Sequence, residues 1–440
     1  MAEQEACLST ARSPKFYEMS PAERVETIIR QRDLSADEAD LLRSACGLTL
    51  AKADKMVENV IGVFGLPFGL GMNFLVNGRD YIVPMVIEEP SVVASSSFAA
   101  KTVRASGGFT ATSTERMMIG QIQVVGCPDF PAAEAALLAA KDDLLRQANA
   151  LHPSMVARGG GAKDLEVRSV QDGDSAYGRM LVVHLHVDTQ DAMGANTINT
   201  MVEGIAADVE RLTGGKVYLR ILSNYTDRCL VTATCVVPPE HLANARFTGP
   251  EVVEGICQAF AFADADVYRA VTHNKGVMNG IDAVIMATGN DWRAIEAAVH
   301  AHAARDGRYR SLTQWRQDET GNLLGSITVP MAAGTVGGSI QANPMARLAL
   351  KILGVQSAQE LGEVIASVGL AQNLAALRAL VTDGIQKGHM ALHARSVALS
   401  AGAQGHEVDV IAQRLVRLKE VKLSRAMELL QELQKQETVS

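Results

Sequence analysis

Apolar and polar positions follow two rhythms along this chain, and the points where the rhythm changes mark its organisation. Across residues 33–56 apolar residues recur every three or four positions, which predicts a helix. The most apolar run, residues 61–76, holds four glycines, Pro67 and Asn73. A membrane-spanning helix needs about 18 nearly continuous apolar residues, so this run predicts a buried segment. From Ile119 a strand-like IGQIQVVG leads into a helical stretch at 131–151. Strand-like runs at 164–170 and 180–187 follow, the second alternating strictly in VVHLHV. A helical stretch at 196–212 and the strand KVYLRIL at 216–222 complete the order β-α-β-β-α-β, a ferredoxin-like unit. The flanking segments look unlike it, so it reads as an insertion in a larger domain. A Gly- and Asn-rich central region comes next, then a nearly all-helical C-terminus with amphipathic stretches at 407–421 and 423–436.

With 440 residues, two or three domains are expected. Hydrophobic residues make up 48% and aromatics 4%, so Ala, Leu, Val and Gly fill the core. A net charge of −8 argues against nucleic-acid binding, which needs a basic surface. The first residues lack a basic stretch followed by an apolar one, so no signal peptide is read. The 6 cysteines show no CxxC pairing or zinc spacing. A reduced, cytoplasmic protein is the simple reading.

Four stretches combine polar side chains with glycine where a plain core would not want them. Glu88-Glu89-Pro90-Ser91 follows the apolar YIVPMVI. Adjacent acids there are usually just a turn, but an acid shielded from water can deliver a proton near neutral pH. In THNKGVMNGID (272–282), Lys275 reads as a loop lysine, ordinarily a solvated charge. Gly276 and Gly280 permit close backbone approach to a ligand. Downstream, Asp291 in ATGNDW is either a helix N-cap or the partner of a catalytic lysine. Asp191-Ala192-Met193-Gly194-Ala195-Asn196 stands at a helix start, which suits phosphate or forms an ordinary Gly-containing cap. No GxGxxG follows a predicted strand, so a Rossmann site is unsupported. His389 and His393, four apart, would share a helical face, but no acid completes a metal site.

Taken together these stretches resemble the class II (bacterial-type) 3-hydroxy-3-methylglutaryl-CoA (HMG-CoA) reductases. ENVIG (58–62), EEPSVVA, DAMGAN, THNKG, ATGNDWR, GTVGG (334–338) and KGHMALHAR occur in the family's order and span residues 58–395. The resemblance implies an α+β fold: a large, mostly helical substrate-binding domain with an inserted ferredoxin-like dinucleotide-binding domain and a C-terminal helical flap. The implied boundaries are 1–115 and 228–383 for the large domain, 116–227 for the small one and 384–440 for the flap. It also implies a homodimer with shared active sites, with a trimer of dimers as a further state, and no membrane anchor.

By the same resemblance the catalytic residues are Glu89, Lys275, Asp291 and His389. Substrate contacts fall on Ser91, Arg269, Asn279, Gln372 and His393, with Asn224 near the reacting group. The cofactor loop comprises Asp191, Met193, Gly194 and Asn196. The implied reaction takes HMG-CoA to mevalonate and free CoA, reversibly, and its two hydride transfers need two nicotinamide cofactors in succession. Lys275 would stabilise the developing oxyanion, Glu89 would supply a proton, Asp291 would bridge the two, and His389 would protonate the departing thiolate. NADH-preferring relatives resemble Asp-Pro at the position of His152-Pro153. With no acid there to repel a 2′-phosphate and with Arg158 and Lys163 nearby, NADPH is favoured over NADH. The competing class is a non-catalytic CoA-ester or nucleotide-binding regulator, which would have no use for all four catalytic types.

Overall fold

The computed structural model describes residues 14–44, 47–171, 178–382 and 384–437. Local signals set the first helices. Ser20 and Ser35 each open a capping box, with Glu23 and Glu38 returning the bond, and the helices run Pro21–Gln31 and Ala36–Arg43. The single helix expected over 33–56 is therefore divided. A second short helix, Leu50–Ala53, starts afresh where the Thr49 hydroxyl accepts from the Lys52 N–H. Apolar periodicity persisted through the break, but Ser/Thr caps, each worth about 1 kcal/mol, restart helices where they fall.

Strands β1 (Phe68–Val76) and β2 (Arg79–Val86) form an antiparallel hairpin. Ahead of it the apolar run is not buried as expected: Ile61 is 99% and Phe64 90% exposed. Residues 60–67 adopt no regular structure, so no helix or strand face turns these side chains inward. A second antiparallel sheet has the order β3-β8-β10-β9, from β3 (Thr110–Ser113), β8 (Leu230–Val237), β9 (Thr313–Gln317) and β10 (Leu323–Pro330). Against it lies the central helix Ala358–Val381, in contact with the helices Val92–Arg104 and Val267–Ala287. By length and composition this central helix could cross a membrane, but its apolar window is 67% buried, as a core helix should be.

The interposed unit contains β4 (Met117–Val125), β5 (Gly161–Gln171), β6 (Arg179–Asp188) and β7 (Lys216–Arg228). Its sheet order, β5-β6-β4-β7 with every pairing antiparallel, is the ferredoxin-like arrangement. Alternation in β6 sends Leu181, Val183, Leu185 and Val187 into the core and His184 and His186 to the other face. The helix Ala195–Thr213 covers the apolar face with Ile198, Met201, Val202, Ile205 and Val209. The helical stretch read at 131–151 is two helices, Phe130–Ala139 and Lys141–Ala150, meeting at Ala140.

The last three helices, Ile385–Ser400, His406–Leu418 and Leu423–Glu437, share an apolar cluster of their own around Ala398, Ile411, Leu415 and Leu430. The chain is thus α+β, with a mostly helical larger part, an interposed ferredoxin-like unit and a terminal helical trio.

Candidate active site

Lys275 stands on the helix Val267–Ala287, which starts where the Asp266 carboxylate accepts from the Arg269 N–H at 2.8 Å. The loop expected around Lys275 is therefore absent. Two glycines suggested it, but helix packing uses one of them: a Cβ on Gly280 would lie 2.9 Å from the Gln372 Cβ and 3.1 Å from the Val368 carbonyl oxygen. Only glycine lets this helix approach the central one so closely.

The two residues before Lys275 face inward. His273 Nε2 meets Thr313 Oγ1 at 2.7 Å and Asn373 Nδ2 at 3.1 Å. Asn274 donates to the Arg310 carbonyl at 2.8 Å and accepts from the Leu312 N–H at 3.0 Å. Burial, then the nearby Arg269, push the His273 imidazole down to about 4, so it is neutral at pH 7. With these neighbours pinned, Lys275 leaves the helix on the open side, and its Nζ pairs with Glu89 Oε2. Glu89 belongs to the turn after β2. That turn continues through Ser91, held at φ +76° with its Oγ buried and unpartnered, into the helix Val92–Arg104.

Side-chain exposures of 60% for Lys275 and 37% for Glu89 mark a pair open to water, worth at most about 1 kcal/mol to the fold. Stability therefore does not account for it. The shielding of Glu89 expected from the sequence is not found in the single chain. Asn279, four residues on, shares a helical face with Lys275. Arg269 and Asn279 are half-buried. Gln372 is buried behind Gly280 and accepts from Ser95 Oγ at 3.2 Å.

A second cluster forms elsewhere. Asp291 caps the helix Trp292–Ala303 by accepting from the Ala294 N–H at 3.0 Å, the ordinary alternative weighed for it. It lines a small cleft with Met193, Asn224, Met118 and Thr226. No hydrogen bond or ion pair among the described residues joins it to Glu89 or Lys275. Lys275 lies 12 residues before the helix end at Ala287, about 18 Å along the helix axis, and Asp291 comes after the turn that follows.

The segment 189–194 contributes Met193 to the wall of this cleft. The Asp191 carboxylate accepts from the Ala358 N–H at 2.8 Å, and its carbonyl accepts from the Thr335 N–H at 2.9 Å. Asn290 bonds Gly334 in both directions. The motifs DAMGAN, ATGNDW and GTVGG therefore meet at one place. Gly194, at φ +89°, is the N-cap of Ala195–Thr213 and supplies no side-chain bond, leaving the first N–H groups of that helix without a capping side chain. Asn196 is exposed on its first turn. Arg116, which sequence reasoning gave no reason to single out, lies buried beneath and donates to three backbone carbonyls.

His152 is the N-cap of the short helix Pro153–Val156, with Nε2 buried and unpartnered. Nearby, Lys163 Nζ donates to the Gly159 carbonyl at 2.6 Å. His393 is exposed on Ile385–Ser400. His389 lies on the same helix, and its side chain is outside the described residues. Among the described residues no group of three or more His, Cys, Asp or Glu side chains is placed to hold a metal.

Comparison with known proteins places the chain in a family. The family model described as hydroxymethylglutaryl-coenzyme A reductase matches residues 20–394. The 3-hydroxy-3-methylglutaryl-coenzyme A reductase of Archaeoglobus fulgidus is 51% identical over 96% of this chain and 95% of its own. A probable enzyme of the same name from Borreliella burgdorferi is 35% identical over 78% and 77%. Among solved structures, the class II reductase of Streptococcus pneumoniae bound to NADPH in open conformations superposes with a TM-score of 0.80 at 46% identity, over 94% of this chain and 100% of that one. On family match, sequence identity and shared fold, the chain belongs to the hydroxymethylglutaryl-coenzyme A reductase family, in its class II branch.

Proposed function

We propose that this chain reduces HMG-CoA to mevalonate and free CoA, reversibly, with Lys275, Glu89, Asp291 and His389 as its catalytic residues. The observation that carries the site assignment is the Lys275–Glu89 pair. It joins residues 186 positions apart, faces solvent and contributes little to stability. The Lys275 ammonium is suited to the oxyanion that develops on the thioester carbonyl. Glu89, which accepts from the same ammonium, can hand a proton to that oxygen once it has itself been protonated. His389 protonates the departing CoA thiolate, which prevents its return. Ser91, Arg269, Asn279, Gln372 and His393 hold the substrate, and Asn224 stands by the reacting group.

The residues present fit a dinucleotide. The helix Ala195–Thr213 opens on an uncapped first turn, and such helix starts accommodate phosphate. Asp191, Met193, Gly194 and Asn196 would hold the pyrophosphate region, with His152 at the far end. The absence of a carboxylate at that position supports NADPH over NADH. NADPH, when bound, supplies the hydride for each of the two reductions.

The separation of the Lys275 pair from Asp291 supports a homodimer in which each site draws on both chains. So do the bare apolar side chains of Ile61, Phe64 and Tyr268, the last 85% exposed. Burying a residue such as Ile61 or Phe64 is worth about 1.5–3 kcal/mol, and a second copy would do so. A trimer of dimers is a further assembly of the same interface. The large, small and flap domains are divided at 115/116, 227/228 and 383/384. The four described cysteines are unpaired, which supports a reducing compartment, the cytoplasm.

The test is HMG-CoA-dependent oxidation of NADPH with mevalonate identified as product, in wild type and Lys275→Ala. The variant is expected to lose about 10²–10³ in kcat while calorimetry shows HMG-CoA still bound, because the lysine acts mainly in the transition state. Near-normal kcat in Lys275→Ala removes the lysine from its role.

A further inference from the structure

Arg116 is 8% exposed and carries a permanent charge that no carboxylate among the described residues neutralises within ion-pair distance. Instead its guanidinium donates to carbonyl oxygens of two different segments. Nε reaches the Gln190 oxygen at 2.6 Å. Nη2 reaches the Ala192 oxygen at 3.4 Å and the Ala333 oxygen at 2.6 Å. Gln190 and Ala192 flank Asp191 at the start of the dinucleotide loop, whereas Ala333 belongs to the stretch after β10, on the side of the larger part. Arg116 itself lies just before β4, where the chain enters the ferredoxin-like unit. One planar cation therefore fastens the loop to the scaffold that also carries Asn290 and Asp291. A fork with fixed donor directions suits this task, and a lysine's single ammonium does not reach both segments in the same way.

Arg116 shares the holding of this loop with the Asp188 carboxylate, which accepts from Gln190, and with the bonds of Asp191 to Ala358 and Thr335, and it adds bonds to the carbonyls of Gln190 and Ala192. Gln190 sits at φ +52°, a left-handed conformation uncommon for a residue with a side chain. Gly194, at φ +89°, then turns the chain into Ala195–Thr213. With two left-handed residues within five, the path of the segment depends on its anchors, and Arg116 is the one that ties it to Ala333.

We propose that Arg116 is a positioning residue for the dinucleotide: it sets the loop Gln190–Gly194 at a fixed height over Ala333. The free N–H groups of the following helix and the Asp291 cleft then face one ligand together. This rests on the reading that this loop holds the cofactor.

The experiment measures equilibrium affinities on the purified full-length protein, for NADPH by cofactor fluorescence and for HMG-CoA by calorimetry. The variants are Arg116→Ala, Arg116→Lys and, as a control on the loop itself, Asn196→Ala. Arg116→Ala is expected to weaken NADPH by about tenfold, equivalent to 1.4 kcal/mol, while HMG-CoA stays within about twofold. Guanidinium chloride at low millimolar concentration is expected to restore part of the lost NADPH affinity by refilling the vacated space. Arg116→Lys keeps the charge and reads the same effect at smaller size should the alanine variant fail to fold. Unchanged NADPH affinity in the folded Arg116 variants, or equal loss of both ligands, overturns the proposal. If Asn196→Ala weakens NADPH and the Arg116 variants do not, Arg116 alone is dismissed. If none of the three changes NADPH affinity, the loop reading falls and takes the proposal with it.

Discussion

Asp282 lies two helical turns beyond Lys275 and brings a second carboxylate, Glu296, into its surroundings. Burial, and then the hydrogen bond and charge of Glu296, push Asp282 up to about 9, so it is protonated at neutral pH. Glu296 goes the other way, held below its ordinary range first by its bond to His300, whose Nε2 lies 2.7 Å from Glu296 Oε2. The sign of the linkage follows. With an unfolded value of 3.8 and a folded value near 9, the stabilising contribution of protonated Asp282 is complete below pH 3.8 and is lost as pH rises toward 9. The slope reaches about 1.4 kcal/mol per pH unit. Asn at this position keeps a donor toward Glu296 and does not titrate. The melting temperature of Asp282→Asn relative to wild type is therefore expected to climb steadily from pH 5 to pH 8.5. A constant difference over that range means Asp282 is already charged in the folded protein. None of this was legible in the sequence, where Asp282 is one more polar letter in THNKGVMNGID. Glu89 and Lys275 did stand out in the sequence, one as an acid after an apolar run and the other as a cation beside glycine, although a turn and a solvated charge were the ordinary readings.

At the scale of elements, the order β-α-β-β-α-β carried the ferredoxin-like unit, with the alternation in VVHLHV and the 3.6-residue periodicity of the 196–212 stretch as its clearest members, because each follows from one buried face. The helix carrying Lys275 was not legible, since glycine disfavours helix by about 1 kcal/mol and two of them suggested a loop. The missing information was tertiary. Gly280 faces Val368 and Gln372, and on the opposing helix a Cβ at Gly369 would lie 2.9 Å from Ile281 Cγ1. Gly276, by contrast, has nothing within 4 Å of where its Cβ would stand. The two glycines are thus expected to behave oppositely. Gly280→Val forces the helices apart, with a cost of about 1–3 kcal/mol. Because both Lys275 and Gln372 ride on the displaced helices, kcat falls with it. Gly276→Ala leaves the packing alone and gains helix propensity, so its melting temperature is unchanged or raised by the equivalent of up to about 1 kcal/mol. Thermal melts paired with turnover assays check both. A stable, fully active Gly280→Val would show that the contact between the lysine helix and the central helix is not needed to place Lys275.

For the whole molecule the decisive feature is that one chain does not bring the proposed catalytic residues together. Glu89 and Lys275 meet on one side, and Asp291, Met193 and Asn224 meet on another. Lys275 sits about 18 Å of helix axis before Ala287, and Asp291 follows only after the turn that ends this helix. A sequence order of motifs could not disclose that, because the separation exists only once Lys275 is known to sit inside a long helix. If the sites of a twofold dimer are shared, each takes Lys275 from one chain and Asp291 from the other. Lys275→Ala and Asp291→Ala homodimers are then both inactive. Exchanging subunits between them, by partial unfolding and refolding of an equal mixture, creates heterodimers in which one site carries both lesions and the other carries neither. Half of the random pairs are heterodimers and half of their sites are intact, so recovered turnover approaches about one quarter of wild type. A site built within one chain predicts no recovery at all, since every site in the mixture then keeps one lesion. Co-purification of the two variants through an affinity tag carried by only one of them, run on the same samples, confirms that exchange has taken place. Exchanged dimers that remain inactive would return Asp291 to the chain that carries its own Lys275, and a conformational change closing the gap between them would have to replace the partner.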